Sequence, residues 1–183
     1  GAIRKYAFYP AVMRSQARLT YTQVWGWLAE PHTATAPEAK ALLPHLTHLH
    51  QLYEVLAAAR DRRGAIDFET AELAIEFDEH GKITRIVPSP RNDAHKLIEE
   101  CMLAANVCAA DFLIGQKQST LFRVHEPPPP DKLAALREFL AMSALHLGGG
   151  ERPSPADYAK LLDAARERAD YDLLQTVLLR SLS

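Results

Sequence analysis

Apolar and polar positions alternate along the chain in two rhythms, one helical and one extended. Residues 2–13 (AIRKYAFYPAVM) are dense in aromatic and aliphatic side chains and predict a strand, with Pro10 marking an edge or a bulge. Thr20 and Gln23 have the spacing of a capping box, and Leu19 and Val24 that of a hydrophobic staple, so a helix begins at Tyr21 with Trp25 one turn on. Core packing is the commoner use of such aromatics, and stacking on bases is the alternative. Residues 31–43 read as a loop with at most one short turn. Pro44 then opens a long helix to Arg62, in which Leu46, Leu49, Tyr53 and Leu56 make an amphipathic face. Gly64 ends it. Leu73, Ile75 and Phe77 alternate with Glu72, Ala74 and Glu76, Asp78–Gly81 turns, and Ile83–Val87 follows, which is a β-hairpin with one buried face. Thr120–His125 is strand-like, Pro127–Pro130 is a stiff connector, and helices follow over Asp131–Leu145, over Pro155–Arg168 behind Ser154 and Asp157, and from near Asp170 onward. Five or six helices, one hairpin and one or two further strands make an α+β, helix-rich fold.

The stretch Arg91–Asp111 organises the rest. Leu97, Cys101, Ala104, Ala105, Cys108 and Phe112 recur at helical spacing, and the small residues among them predict a central helix covered on several sides. Its start falls at Ser89–Pro90 or at Asn92. Asn92, His95, Glu99 and Asn106 share one polar stripe across this face. A carboxylate there needs hydrogen-bond partners or a ligand. The plainer expectation is a partly solvated face with a His95–Glu99 pair.

The 183 residues, 48% hydrophobic and 24% charged, fit one globular unit. Gly1 leads straight into strand-like sequence and the last residues fall inside a helical pattern, so the chain reads as an interior piece of a longer protein. A net charge of −2 lends no support to a self-contained nucleic-acid-binding module. Cys101 and Cys108 lie seven apart on one helix, roughly 10 Å along its axis, too far for a disulfide. Free thiols point to a reducing compartment, the cytoplasm. His45, His48 and His50 lack the convergent ligands of a zinc site and read as a solvated face. Glycine-rich phosphate loops, a G-x-S-x-G elbow and a tight aspartate cluster for two Mg²⁺ ions are all missing. Phe68, after Gly64, is either a core residue or an exposed stacking aromatic.

Five ordered blocks, RLTYTQVWGWL, RGAIDFETAE, RNDAHKLIEECMLAANVCAADFL, LFRVHEPP and DLLQTVLLRSL, resemble the RNB (ribonuclease II) family of 3′-to-5′ exoribonucleases. The resemblance covers essentially the whole chain and matches the middle of that family's catalytic domain. It implies processive hydrolysis of RNA to nucleoside 5′-monophosphates by an aspartate cluster with Mg²⁺ supplied from preceding sequence. A following T-S-P-I-R-R-type motif and the cold-shock and S1 domains are likewise outside this chain. It further implies that Tyr21 lines the route of the terminal nucleotides, that Phe68 packs on the last base, and that Glu99 contacts the 3′-terminal ribose. No catalytic or metal-binding residue falls within the chain, which alone is expected to be inactive. The competing expectation is a non-catalytic RNA- or protein-binding module from a degenerate homologue.

Overall fold

In the computed structural model, residues 2–68, 73–89 and 91–182 are described. Their order is α1 (Tyr21–Ala29), a 3₁₀ turn (Pro31–Thr33), α2 (Pro37–Arg62), β1 (Leu73–Phe77), β2 (Ile83–Pro88), α3 (Asp93–Gly115), α4 (Pro130–Met142), α5 (Pro155–Ala165) and α6 (Tyr171–Ser181). The chain forms two compact units, residues 1–59 with 90–121, and residues 60–89 with 122–183.

In the first unit α1 starts where the capping box requires. Thr20 Oγ1 accepts from the Gln23 backbone N–H at 3.2 Å, and Gln23 Oε1 accepts from the Thr20 N–H at 3.0 Å. The helix packs on α3. α2 begins seven residues before the position expected from Pro44. Pro37 takes the first helical place, and Pro44 sits inside the helix. An interior proline removes a backbone hydrogen bond at a cost of about 3 kcal/mol, but strong helix formers (Glu38, Ala39, Lys40, Ala41, Leu42, Leu43) precede it and carry the helix through. α3 is capped by Asn92, whose Oδ1 accepts from the Ala94 N–H at 3.1 Å; Pro90, the other proposed start, lies outside the described residues. Ala94, Leu97, Glu100 and Cys108 are its buried positions, while Ile98, Met102, Leu103 and Val107 are exposed. The helix is thus covered along one stripe rather than on several sides.

Residues 2–13 do not form a strand. A pleated segment needs a ladder partner for its N–H and C=O groups, and the sheet of the described residues contains β1 and β2 alone. Instead the segment is irregular and exposed, with Tyr6 edge-on to Phe8 and Phe8 against Phe112 of α3, ring centroids 5.1 Å apart. For the same reason Thr120–His125 is not a strand.

The second unit is built on a leucine core. α4 contributes Leu133, Leu136 and Leu140, α5 contributes Tyr158, Leu161, Leu162 and Ala165, and α6 contributes Leu174 and Leu178. Each set repeats at three and four residues, which brings one face of each helix inward. Leu147 closes the core from the connection before α5. That connection turns at Gly149 (φ +80°), where a Cβ would lie 2.5 Å from Pro153 Cα and 2.6 Å from Asp157 Oδ2. Only glycine fits both the angle and the space. Asp157 closes the start of α5, its Oδ2 accepting from the Ser154 N–H at 2.8 Å and hydroxyl at 2.6 Å. These hydrogen bonds, side chain first, hold its carboxyl below the ordinary 3.8.

The hairpin forms as its alternation predicts. Asp78 Oδ1 accepts from the His80 and Lys82 N–H groups, Gly81 takes φ +76°, and one extra β2 residue near Thr84 makes a bulge opposite Glu76 and Phe77. Its expected buried face is not formed. Leu73, Ile75 and Phe77 are 64%, 48% and 58% exposed, because a two-stranded ribbon hides a face only when another layer lies on it.

Candidate functional site

α1, α2 and α3 of the first unit bring polar and aromatic side chains together around the start of α3. Tyr21, first residue of α1, lies with its ring stacked on the His95 imidazole, centroids 4.0 Å apart and planes 26° from parallel. Tyr21 as a whole remains 44% exposed. His95 is the third residue of α3 and part of its cap: Nδ1 is 2.9 Å from Asn92 Oδ1 and 3.3 Å from the Asn92 backbone nitrogen. A proton on Nδ1 serves the shorter contact. The interactions that begin α3 therefore also set the plane against which Tyr21 rests.

Glu99 follows His95 by one turn, on the same side of the helix. The expected His95–Glu99 pair is not made, since His95 is engaged by Asn92 and Tyr21. Arg91, the residue before the cap, folds back along the helix instead. Its Nε donates to Glu99 Oε1 at 3.1 Å and its Nη2 donates to Oε2, a two-pronged pair. The two side chains are 38% and 43% exposed, so the pair stands at the rim. Asn106, the far end of the polar stripe, is exposed.

The buried carboxylate of this helix is the next residue, Glu100, at 5% exposure. Burial, and then the neighbouring Glu100 charge, push the Cys101 thiol above its ordinary 9.0. Cys101 therefore stays a thiol and is a poor nucleophile.

Behind Tyr21, Trp25 of α1 and Tyr53 of α2 flank the His50 ring at 6.3 and 5.7 Å between centroids. His50 Nε2 is buried and makes no hydrogen bond; Asp93 Oδ2 lies 3.6 Å away. His45 and His48 are exposed. Among the described residues no three His, Cys, Asp or Glu side chains converge to hold a metal ion.

Tyr21 stacks on His95, and Glu99 stands one helical turn beyond His95 in a pair with Arg91. Phe68 belongs to the second unit, where it is half-buried against the leucine core beside Ile66. Two members of the site do not follow from the sequence pattern: His95 is a platform for Tyr21 rather than a partner of Glu99, and Arg91 is the partner Glu99 finds. A signal for Arg91 exists: a cation at a helix N-terminus opposes the helix dipole and needs an anion within reach.

The model of the RNB domain family matches residues 1–183. The chain is similar to ribonuclease R of Vibrio cholerae, 50% identical over 182 residues, covering 100% of this chain and 22% of that protein. It is 47% identical to ribonuclease R of Escherichia coli K12 over the same length and share. Among solved structures, Mycoplasma genitalium RNase R in complex with ribose methylated single-stranded RNA superposes with a TM-score of 0.77 at 26% identity, over 89% of this chain and 25% of that one. The chain thus spans about a fifth of the length of the curated relatives it matches.

Proposed function

The chain belongs to the RNB family, and on that premise we propose that it is the middle portion of the catalytic domain of a processive 3′-to-5′ exoribonuclease, where Tyr21 and Glu99 line the path of the RNA 3′ end. The observation that carries this reading is the Tyr21–His95 stack one helical turn from the Arg91–Glu99 pair. One face of Tyr21 rests on His95, and its exposure leaves room for a base of any identity to stack. Glu99 supplies acceptors for hydroxyl hydrogens, and a free 3′-hydroxyl beside a 2′-hydroxyl occurs only at the end of an RNA chain. An acceptor at that point favours the terminus over internal residues. Hydrolysis of the last phosphodiester puts the water oxygen on the phosphate of the departing 5′-monophosphate and leaves a 3′-hydroxyl on the shortened chain. Each cycle thereby regenerates the terminus that Glu99 recognises.

Phe68 is the proposed contact for the last base, a role that would use only the exposed part of a ring whose remainder anchors the second unit's core. The metal chemistry is assigned to sequence outside residues 1–183, with Mg²⁺ the expected ion, and cold-shock and S1 domains as the expected companions in the full protein. Cys101 and Cys108 are free thiols, which supports a cytoplasmic setting; no helix among the described residues is long and apolar enough to cross a membrane.

In the full-length protein, Glu99→Ala is expected to slow degradation about 10- to 100-fold, the loss of hydrogen bonds to a charged group, while affinity for long RNA stays within about twofold, because most of it comes from phosphate contacts. Rate measurements on 3′-labelled RNA beside filter binding decide the matter. Weakened binding of long RNA at undiminished turnover would sink the assignment.

A further inference from the structure

We propose that Gly64 and the Arg60–Asp67 ion pair are positioning residues that mount the Phe68 ring at a fixed depth for the last base of the RNA; this rests on the assignment of Phe68 as the contact for that base. Phe68 lies in no helix or strand. A stacking face on free chain would lose the freedom of that chain at each binding event. The segment ahead of Phe68 is held instead. At the end of α2 the Gly64 N–H donates to Asp61 O at 2.8 Å and the Ala65 N–H donates to Arg60 O at 3.3 Å. Those two bonds are the helix stop that places a left-handed residue after the last turn, and Gly64, at φ +70°, is that residue. Its backbone rests on the first turn of α5, where a Cβ on Gly64 would lie 2.6 Å from Ala156 Cβ and 2.9 Å from Ala156 Cα.

Beyond the glycine, Ile66 and Phe68 pack on the leucine core while Asp67 between them stays exposed. Arg60 Nη2 stands 3.5 Å from Asp67 Oδ1. Arg60 therefore grips the segment twice, by its carbonyl at Ala65 and by its guanidinium at Asp67. With Asp67 drawn outward, the residues on either side of it are kept turned inward. A half-buried ring held in this way is kept both from sinking into the core and from swinging free. The two side chains of the ion pair are 24% and 50% exposed, so little folding energy rests on it. What it governs is where Phe68 stands.

The test compares Asp67→Asn, Gly64→Ala and Phe68→Leu in the full-length protein, on two oligoribonucleotides alike except that one lacks the base of its 3′-terminal nucleotide. The readout is the ratio of kcat/KM for release of that nucleotide from the intact and from the abasic oligomer. Melting temperatures are recorded for each variant. Phe68→Leu keeps an apolar side chain against the core and removes the ring, and is expected to lower the ratio about tenfold, the worth of one base–aromatic stack. Gly64→Ala forces the backbone off Ala156 and is expected to approach that loss. Asp67→Asn is expected to lower the ratio about threefold, the scale of an exposed ion pair, at an unchanged melting temperature. Should Gly64→Ala fold poorly, Asp67→Asn decides alone. If the Asp67 and Gly64 variants keep the parent ratio, or slow both oligomers equally, while Phe68→Leu loses it, the mount is overturned and the Phe68 contact stands. If Phe68→Leu also keeps the parent ratio, the last base does not rest on Phe68 and the mount falls with that assignment.

Discussion

The second unit hides its large side chains and the first hides mostly small ones. Leu140, Leu147, Leu174 and Leu178 are each about 1% exposed, whereas the buried apolar residues of the first unit are Ala34, Ala39, Ala59, Ala94, Leu97 and Cys108. The larger apolar residues of α2 and α3, among them Leu52, Val55, Met102, Leu103 and Val107, stay half-exposed. Both units have amphipathic helices, so the difference does not lie in periodicity. It lies in whether a facing surface exists to complete the burial. Where three helices meet, as in α4, α5 and α6, leucines interlock and exclude water. Where α3 meets α1, the edge of α2 and an irregular segment, only one stripe is covered. Tyr21 and the Arg91–Glu99 pair belong to the less covered unit, where such a rim pair stays accessible.

The sharpest break between the units should appear on truncating leucines. Leu140→Ala is expected to destabilise the chain by about 3 kcal/mol through lost transfer energy and a cavity. Leu103→Ala, at a position 49% exposed, should change stability by less than about 0.5 kcal/mol. Denaturant unfolding of both variants checks this, and equal losses would mean that α3 is covered far more than its exposure indicates. A smaller contrast separates two left-handed glycines. Gly149→Ala meets backbone at Pro153 and should cost about 2–3 kcal/mol, while Gly81→Ala in the open hairpin turn meets nothing within 4 Å and should cost about 1 kcal/mol.

The smallest effect concerns acid. The Asp157 carboxyl is lowered in the folded state, so its contribution is fully present above the ordinary value of 3.8 and is lost as pH falls through the folded value below it. The corresponding box at α1 uses Thr20 and Gln23, neither of which titrates. Thermal unfolding followed between about pH 5 and pH 2 should therefore show an acid-dependent loss that Asp157→Asn reduces. An unchanged acid profile in that variant would show that the Ser154–Asp157 cap does not couple to stability.

Local chemistry was legible in the residues alone. Thr20 and Gln23, Ser154 and Asp157, and the Asp78–Gly81 turn satisfy their own backbone neighbours, so the starts of α1 and α5 and the hairpin turn follow from spacing. Helices α4, α5 and α6 were legible as helices, while the leucine core they share emerged only from their packing. The polar stripe contains Glu99, and the resemblance carried by the ordered blocks implies a shared role for Tyr21. Tertiary structure alone decided the rest, because each remaining question concerned a partner distant in the chain or turned back on it. Residues 2–13 have strand composition, yet no ladder partner makes them a strand. The hairpin has an apolar face, yet no layer lies on it. Glu99 chose Arg91 over His95 because Asn92 and Tyr21 had already engaged the imidazole. Pattern states which surfaces and charges seek company; only the fold determines which of them find it, since burial and pairing are properties of two surfaces and a sequence pattern describes one at a time.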